Sequence, residues 1–363
     1  MLFRSKNLVH QLGSEPDFEI LQFTRQTTSE DLDAMLQQCT VIIHAAGSNR
    51  PENEIDFERD NVDLLSDILL RLEAKSPKPI VFTSSTQAGN GSPYGQSKLE
   101  AEARVRSFCA RHGVQGRVLR LPNVFGKWSK PNYNSVVATF VHNASRELPM
   151  RIDDPFRAIN LVYVDDVVAT IKRDIRENFR APNVEVTPIY RTTVGALSAM
   201  VAKIHMSRQL NEVLEVGSGL MRALYATYVS ALAPSNFKYP LLQNNDHRGT
   251  FVEFLRTPNA GQISFLTAKP GITRGSHVHH TKVEKFVVVQ GIARFRFKNL
   301  LDGELHEIAT DHRTPQVVES IPGWAHDITN TGSDDLVIIV WASESFDLDN
   351  PDTVGVVIRD AES

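Results

Sequence analysis

The chain has 363 residues, of which 41% are hydrophobic and 23% charged, and its formal net charge at pH 7 is −4. This length predicts two domains, and the absence of a basic excess argues against nucleic acid as a partner. No apolar run approaches membrane-spanning length, and no signal peptide is evident, so no membrane association is expected. Only two cysteines occur, which excludes a disulfide framework and suits a cytoplasmic location.

Up to about residue 175, short apolar runs alternate with stretches whose apolar residues recur at three and four. The apolar runs predict buried strands at 18–23, 40–47, 79–85 and 116–126. The amphipathic stretches predict helices at 29–39, 57–75 and 97–113. This rhythm predicts a Rossmann-like doubly wound α/β domain, in which helices cover both faces of a parallel sheet.

The hydrophobic pattern of the sequence changes near residue 237. From there on, short alternating strands are separated by Gly, Pro, Asn and Asp, which predicts an antiparallel barrel or sandwich. We therefore expect an α/β domain at 1–236 followed by an all-β domain at 237–363.

The stretch GSHVHHTKVE (275–284) concentrates histidines in a chain that has only 12. On a strand, His277 and His279 would point to the same side, and Glu284 follows a short turn. Downstream, PGWAHDITN supplies His326. Three imidazoles and one carboxylate suit a divalent first-row metal that keeps an open coordination position. The alternative is a set of solvated strand histidines.

A second candidate site follows the predicted strand 79–85. Tyr94 and Lys98 stand one helical turn apart, and Ser85 closes the strand. An ammonium beside the phenol would favour phenolate, so Tyr94 could exchange a proton with a carbonyl or alcohol. Ser85 could hydrogen-bond the same oxygen. The alternative is an ordinary helix with a surface tyrosine and lysine.

These two patterns resemble two known families. The α/β rhythm with Ser85, Tyr94 and Lys98 is similar to the extended short-chain dehydrogenase/reductases. The spacing of Gly271, the histidines, Glu284 and Gly291 resembles the first motif of the cupins, whose fold is a double-stranded β-helix barrel. The second cupin motif departs, because Pro322 directly precedes Gly323 without an intervening residue.

The reductase resemblance implies residue roles. Ala45, Ala46 and Gly47 would lie against the cofactor, together with Tyr94, Lys98 and the backbone of Leu121 and Pro122. Asn123 and Lys127 would contact a nucleotide-sugar. Arg25 would meet a 2′-phosphate, which favours NADPH over NADH.

The glycine fingerprint that normally opens such a domain is absent, because FRSKNLVHQLG already reads as the first helix. Two explanations stay open: the chain is shortened at its start, or the domain has lost its cofactor and survives as a scaffold. Since the other expected residues are present, we favour the first.

Longer segments carry a closer resemblance: 126–140, 160–169, 239–258, 271–291 and 350–357. They resemble a family of bifunctional nucleotide-sugar enzymes of bacterial capsule synthesis, in which the reductase domain is fused to a cupin. The resemblance implies C3 epimerisation of a UDP-2-acetamido-2,6-dideoxy-4-keto-hexose by a cupin-bound divalent metal, zinc by expectation. NADPH-dependent reduction of the C4 ketone follows, giving UDP-2-acetamido-2,6-dideoxy-L-talose on the route to UDP-N-acetyl-L-fucosamine.

The resemblance also implies a homodimer that forms through the cupin domain. The base for C3 stays open among His280, Lys282 and Lys285, and alternation turns His280 away from the metal ligands. Two other functions stay open. One is an epimerase with an inert reductase domain, and the other is a non-catalytic regulator that binds a sugar nucleotide.

Overall fold

A computed structural model of the chain describes residues 3–24, 26–48, 53, 56–349 and 351–358. The chain divides into two units, one formed by Met1–Ile204 with Val216–Ala233 and one by His205–Glu215 with Pro234–Ser363. The predicted boundary at 237 lies close to Pro234, where the longer segment of the second unit begins. The prediction placed residues 205–215 in the first domain, whereas the structure places them in the second unit. Within the described ranges, no helix is long and apolar enough to cross a membrane.

The helices of the first unit cover a parallel sheet. They are α1 (Phe3–Gly13), α2 (Ser29–Gln38), α3 (Asp56–Glu58), a π-helical turn (Arg59–Asp63), α4 (Leu64–Lys75), α5 (Pro93–His112), α6 (Val136–Ala144), α7 (Val164–Arg176), α8 (Val194–Gln209, which ends beyond Ile204) and α9 (Gly219–Ser230).

The strands of the first unit form two small sheets. They are β1 (Ile42–His44), β2 (Ile80–Ser85), β3 (Gly116–Leu121), β4 (Asn123–Phe125), β5 (Ala158–Tyr163) and β6 (Tyr190–Thr193). One sheet has the order β1-β2-β3 and is parallel throughout. In the other, β5 pairs in parallel with β4 and antiparallel with β6.

Hydrophobic clusters lie on both faces of the sheet β1-β2-β3. Ile80 and Phe82 face a cluster that includes Phe108 of α5. Val81 faces the opposite way, into a cluster with Leu12 of α1 and Ile171 of α7. Alternate residues of β2 therefore bury themselves under different helices, and the predicted Rossmann-like architecture is confirmed.

Two strand predictions require correction. The run 116–126 is divided between two sheets at Pro122, because a proline has no N–H to donate and its φ is fixed. The run 18–23 belongs to no helix or strand within the described structure. An open cleft separates it from β1, so it has no partner for a ladder.

The second unit is all-β apart from short helical pieces. Its strands are β7 (Asn244–Asp246), β8 (Gly249–Arg256), β9 (Gln262–Ala268), β10 (Thr273–Val278), β11 (Glu284–Gln290), β12 (Ile292–Asn299), β13 (Leu305–Asp311), β14 (Val317–Glu319), β15 (Trp324–Asn330), β16 (Leu336–Ala342) and β17 (Val354–Gly355).

These strands form two antiparallel sheets, with the orders β13-β12-β15-β10-β17 and β14-β11-β16-β9-β8-β7. Side chains from both sheets share one core, among them Phe286 and Ile338 from the second sheet and Phe295 and Ile328 from the first. The predicted all-β domain is confirmed, and its interior is where β10, β11 and β15 bring the conspicuous histidines together.

Candidate functional site

The second unit gathers His277, His279, Glu284 and His326 around one point. The Oε2 atom of Glu284 lies 3.0 Å from Nε2 of His279, 3.3 Å from Nε2 of His326 and 3.9 Å from Nε2 of His277. All four potential ligand atoms lie within 4.8 Å of one another. The structure therefore brings together all four residues that the sequence singled out.

Strand pairing explains this convergence. His277 on β10 lies opposite His326 on β15, and their rings are 4.7 Å apart between centroids. A register shift between Gly275 and His277, with Ser276 at a φ of 61°, bends β10 at this point. His279 directly follows β10, and its ring centroid lies 4.7 Å from that of His277.

The electrostatics of the cluster favour a carboxylate. Burial works to raise the pKa of Glu284, but the three histidines around its carboxylate outweigh burial and hold this pKa well below its usual range. Burial also lowers the pKa of His326, which keeps its imidazole neutral. A carboxylate and neutral imidazoles are the protonation states that bind a metal.

The geometry of the cluster fits a divalent ion. Ligand atoms that share a tetrahedral ion at roughly 2.1 Å lie about 3.4 Å from one another, which matches the separations around Glu284. Nε2 of His277, which faces the cluster, has no hydrogen-bond partner among the described residues, although this atom is buried. Buried polar atoms without partners mark a site whose ligand completes it. That these residues bind a metal stays a prediction.

Asp352 supports this site and was missed by the sequence analysis. Its carboxylate accepts hydrogen bonds from the backbone N–H groups of His280 (2.9 Å), Thr281 (2.7 Å) and Lys282 (2.8 Å). Its backbone carbonyl accepts a hydrogen bond from Nδ1 of His279. The segment NPDTVGVV was noticed only as a family resemblance, and nothing in its letters shows that it folds back onto the histidines.

The second cupin-like motif keeps its turn despite its altered spacing. Gly323 adopts a φ of 83°, and its N–H donates to the carbonyl of His279 at 3.0 Å. Asn330 is buried and donates to the carbonyls of Ala268 and Asp334, both at 2.8 Å. Gly323 and Asn330 thus serve the architecture around the site.

The three candidate bases differ in their surroundings. His280 is exposed, as alternation predicted, and Lys285 is exposed and paired with Glu319. Lys282 is buried, and its Nζ donates to Thr353 Oγ1 at 3.0 Å.

In the first unit, Ser85, Tyr94 and Lys98 come from β2 and α5. Ser92 caps α5 by accepting the Gly95 N–H at 3.0 Å, so Tyr94 and Lys98 lie in its first two turns. The Lys98 ammonium is 6.0 Å from the centroid of the Tyr94 ring. Ser85 is buried at the end of β2, where its Oγ accepts the Gln87 N–H at 3.1 Å.

Lys98 is an unusual cation. Its side chain is buried, and its Nζ has no hydrogen-bond partner among the described residues. Burial, reinforced by the charge of Arg4 and opposed by Glu102, lowers the pKa of Lys98 to about 7. The ammonium can therefore lose its proton near neutral pH, as an acid–base group in a reductase would need.

Asn61 was also missed. It lies in the π-helical turn, is fully buried, and donates to the Ser48 carbonyl at 2.9 Å and to Ser97 Oγ at 3.1 Å. A Cβ atom added to Gly47 would lie 2.4 Å from Asn61 Oδ1 and 2.9 Å from Lys98 Nζ. Gly47, Asn61 and Lys98 thus form one tight group. The signal in the sequence was an asparagine on the apolar face of a predicted helix.

The remaining predicted positions surround the carboxyl ends of the strands. Ala45 and Ala46 directly follow β1. Leu121 is the last residue of β3 and pairs with Ser85, and Pro122 follows it. Asn123 is exposed and donates to the Asn160 carbonyl at 3.2 Å.

Lys127 forms an ion pair with Asp165, and Gln11 donates to the same carboxylate. Arg25 lies outside the described residues, so its predicted role in NADPH selection has no structural account. The positions near Lys98 fit the reacting end of a dinucleotide.

Comparison with known proteins agrees with this two-part organisation. Residues 4–187 match the NAD dependent epimerase/dehydratase family, and residues 244–354 match the polysaccharide biosynthesis C-terminal domain. The chain is 43% identical over 353 residues to UDP-2-acetamido-2,6-beta-L-arabino-hexul-4-ose reductase of Pseudomonas aeruginosa, covering 97% of this chain and 95% of that protein.

Solved structures are similar as well. The crystal structure of the capsular polysaccharide assembling protein CapF from Staphylococcus aureus superimposes with a TM-score of 0.92, at 39% identity and 98% coverage of both chains. UDP-glucuronic acid 4-epimerase of Bacillus cereus in complex with NAD has a TM-score of 0.51 at 15% identity, covering 63% of this chain and 85% of its own. This last similarity shows the fold alone.

The fold and the two clusters define a Rossmann-like α/β domain followed by an all-β domain that carries the histidine cluster. The chain belongs to the NAD dependent epimerase/dehydratase family. Its similarity to CapF over nearly the whole length confirms the resemblance to capsule-synthesis enzymes that the sequence motifs predicted.

Proposed function

We propose that this chain is a bifunctional nucleotide-sugar enzyme of surface-polysaccharide synthesis. Its second unit epimerises C3 of a UDP-2-acetamido-2,6-dideoxy-4-keto-hexose, and its first unit reduces the C4 ketone with NADPH to UDP-2-acetamido-2,6-dideoxy-L-talose. The observation that carries the proposal is the convergence of His277, His279, Glu284 and His326 in a unit separate from Tyr94 and Lys98. The named activity of the Pseudomonas relative supports the reductive step.

The epimerisation needs a base for the C3 proton and a group that stabilises the enolate oxygen. A 4-keto group makes the C3 hydrogen acidic, so the proton can leave one face and return to the other. A divalent metal, zinc by expectation, would supply a Lewis acid when it is held by the four side chains. The buried position of Lys282, close in the chain to Glu284, favours it as base over the exposed His280 and Lys285.

The reduction requires a proton donor opposite the cofactor. NADPH supplies the hydride to C4 when it is bound. Tyr94 then donates its phenolic proton to the C4 oxygen, and Ser85 hydrogen-bonds the same oxygen. Lys98, with its lowered pKa, returns a proton to Tyr94. Asn123 and Lys127 lie at the carboxyl ends of the strands, where a nucleotide-sugar would contact them.

The experiment incubates the 4-keto sugar nucleotide with the chain in deuterium oxide, with and without NADPH. Deuterium should appear at C3 without NADPH, and NADPH should then be consumed. His277→Ala should abolish the exchange, whereas the exposed control His247→Ala should keep it. Tyr94→Phe should stop NADPH consumption and leave exchange intact, whereas Tyr239→Phe at an exposed position should change neither.

A second candidate function is epimerisation alone. Exchange at C3 without any NADPH consumption would establish it. If neither exchange nor consumption occurs while the sugar nucleotide still binds, the chain is a sugar-nucleotide-binding regulator. We further propose that the protein is cytoplasmic and forms a homodimer through its second unit.

A further inference from the structure

Strand β9 continues the inner wall of the second unit away from the histidine cluster. Glu284 on β11 lies opposite Ala342 on β16, and Ala342 lies opposite Gln262 on β9. Side chains that are directly opposite in an antiparallel pair lie on the same face of the sheet, about 5 Å apart. Gln262 therefore lies in one row with Glu284, at a distance of about 10 Å along this wall.

A second row of side chains runs beside the first, two residues further along each strand. It consists of Phe286, Val340 and Ser264, which are likewise opposite one another. Phe286 faces the histidine cluster, since its ring centroid lies 5.7 Å from that of His326. Because side chains alternate along a strand, Ser264 shares the face of Gln262 and points into the interior of the unit.

Ser264 is a polar side chain in a buried position. It is 2% exposed, and its Oγ atom has no hydrogen-bond partner among the described residues. Glu253 lies opposite it on β8, but the Glu253 carboxylate pairs with Arg256 at 2.7 and 2.9 Å. Buried hydroxyl groups in folded proteins nearly always have a partner, so Ser264 is placed to receive one from a ligand.

Gln262 connects this wall to the loop that follows β16. Its Oε1 accepts the N–H of Phe346 at 2.8 Å, and the ring centroid of Phe346 lies 6.0 Å from Nζ of Lys282. Ala342 has the smallest side chain of its row, so the wall is lowest between Glu284 and Gln262. A recess with an apolar floor is thus bounded by the histidine cluster on one side and by Gln262 on the other.

We propose that this recess is the subsite for the 2-acetamido group of the sugar. The inference rests on the proposed function of the second unit, because it takes C3 of the sugar to lie beside the histidine cluster. C2 adjoins C3, so a substituent on C2 extends along the neighbouring part of the wall. The Ser264 hydroxyl donates to the acetamido carbonyl, and Ala342 and Val340 contact the acetamido methyl. The C6 methyl of the sugar has no polar atom to pair with Ser264, which favours the acetamido group as the occupant.

The test measures C3 deuterium exchange, without NADPH, on the 2-acetamido 4-keto sugar nucleotide and on its 2-hydroxy counterpart. The unaltered chain should prefer the 2-acetamido sugar at least about tenfold in kcat/KM, because a site built to hydrogen-bond a group disfavours an analogue that lacks it. Ser264→Ala should reduce this preference about tenfold, the effect of one lost hydrogen bond. Ser333→Ala, at an exposed position of the same unit, should keep it.

A second variant fills the recess. Ala342→Val adds two methyl groups between Glu284 and Gln262, so kcat/KM for the 2-acetamido sugar should fall at least about tenfold. Exchange on the smaller 2-hydroxy sugar should persist, which also reports that the variant is folded. Ala309→Val, at an exposed position of β13, should change neither rate. A preference that survives both Ser264→Ala and Ala342→Val would overturn the proposal.

A binding measurement separates the subsite from the proposed function. Amide hydrogen exchange of β9 (Gln262–Ala268) is followed in the full chain with each sugar nucleotide. The 2-acetamido compound should slow it more than the 2-hydroxy compound, and this difference should be lost in Ser264→Ala. Such protection without any C3 exchange would contradict the epimerase function and still support the subsite. C3 exchange with equal protection by both compounds, or with none, would overturn the subsite and leave the function standing.

Discussion

Asp352 holds His279 on the side of its ring that faces away from the candidate metal site, because the Nδ1 atom of His279 donates to the Asp352 backbone carbonyl. A carbonyl oxygen can only accept, so the proton resides on Nδ1 and the lone pair of Nε2 points towards Glu284, 3.0 Å away. The Asp352 carboxylate also fixes the three backbone N–H groups that follow His279 in the chain. One residue therefore sets both the tautomer and the position of a candidate ligand.

Asp352→Ala should weaken metal binding about 10–100-fold, because residues that orient a ligand contribute on this scale. Metal titration followed by thermal unfolding measures the affinity, and hydrogen exchange at the backbone amides of 280–282 reports the loosening of the loop. Asp352→Asn retains one acceptor oxygen and should restore part of the affinity. Asp349→Ala, at an exposed position nearby, is the matched control. If Asp349→Ala weakens binding as much as Asp352→Ala, the assigned role is wrong.

Metal removal should destabilise the second unit. A ligand that binds only the folded state stabilises it by about 2.7 kcal/mol at one hundred times its dissociation constant. Dialysis against a chelator should therefore lower the melting temperature, and readdition of Zn²⁺ should restore it. The Zn²⁺ response should vanish in Glu284→Gln and persist in His247→Ala. An identical response in both variants would place the ion elsewhere.

Lys98 should make stability depend on pH. Its folded-state pKa of about 7 lies below its ordinary value of 10.5, so between these values the unfolded chain binds more protons than the folded one. The contribution of Lys98 to stability therefore rises with pH across this window, and its unfavourable effect is complete below pH 7. Arg4, His44 and Glu102 are the neighbouring charged or titratable groups that shape this response.

Lys98→Met removes the buried ammonium and should raise the melting temperature at pH 6.5, with the gain shrinking towards pH 10. Lys6→Met, at an exposed position of α1, should show no such trend. A gain for Lys98→Met that is constant with pH would mean that the amine does not titrate in this range.

Gly47→Ala should impair reduction more than epimerisation. The new methyl would lie 2.4 Å from Asn61 Oδ1 and 2.9 Å from Lys98 Nζ, so both side chains must move. Displacing groups beside a reacting centre by about 1 Å can reduce turnover about a hundredfold. NADPH consumption and C3 deuterium exchange are measured in parallel, and exchange should be unaffected.

Gly91→Ala is the control for backbone strain. Gly91 has a φ of 85°, also in the region that favours glycine, but an added Cβ would meet nothing within 4 Å. A similar loss of reduction in Gly91→Ala would mean that strain, and not contact with Asn61 and Lys98, explains the effect.

The local sequence pattern predicted the helices and strands whose hydrophobic periodicity is regular. It failed where the formation of a strand depends on its pairing partners. Residues 18–23 have strand composition, yet they lie across a cleft from β1 and form no ladder. Pro122 interrupts an apolar run that composition alone presents as one strand. In both cases the strand prediction failed because strand pairing depends on tertiary contacts, which the number of apolar residues in a segment does not reveal.

The candidate sites show the same difference between residues that the local sequence reveals and residues whose role depends on tertiary contacts. The four metal-type residues could be predicted because their chemistry is rare and their strand spacing sets their direction. Asn61 and Asp352 could not, since an asparagine or aspartate acquires its meaning only from the distant backbone that it binds. Asn61 reaches Ser48 and Ser97, and Asp352 reaches back over about seventy residues.

The π-helical turn Arg59–Asp63 holds one more residue than an α-helical path would contain. Loss of a single codon here would regularise the helix, because the π-helical turn absorbs the extra residue and the helical segments on either side would keep their facing. Asn61 would then swing away from Ser48 and Ser97, while the helix itself gained ordinary hydrogen bonds. Natural variation at this spot should therefore tolerate substitution far better than a change in length.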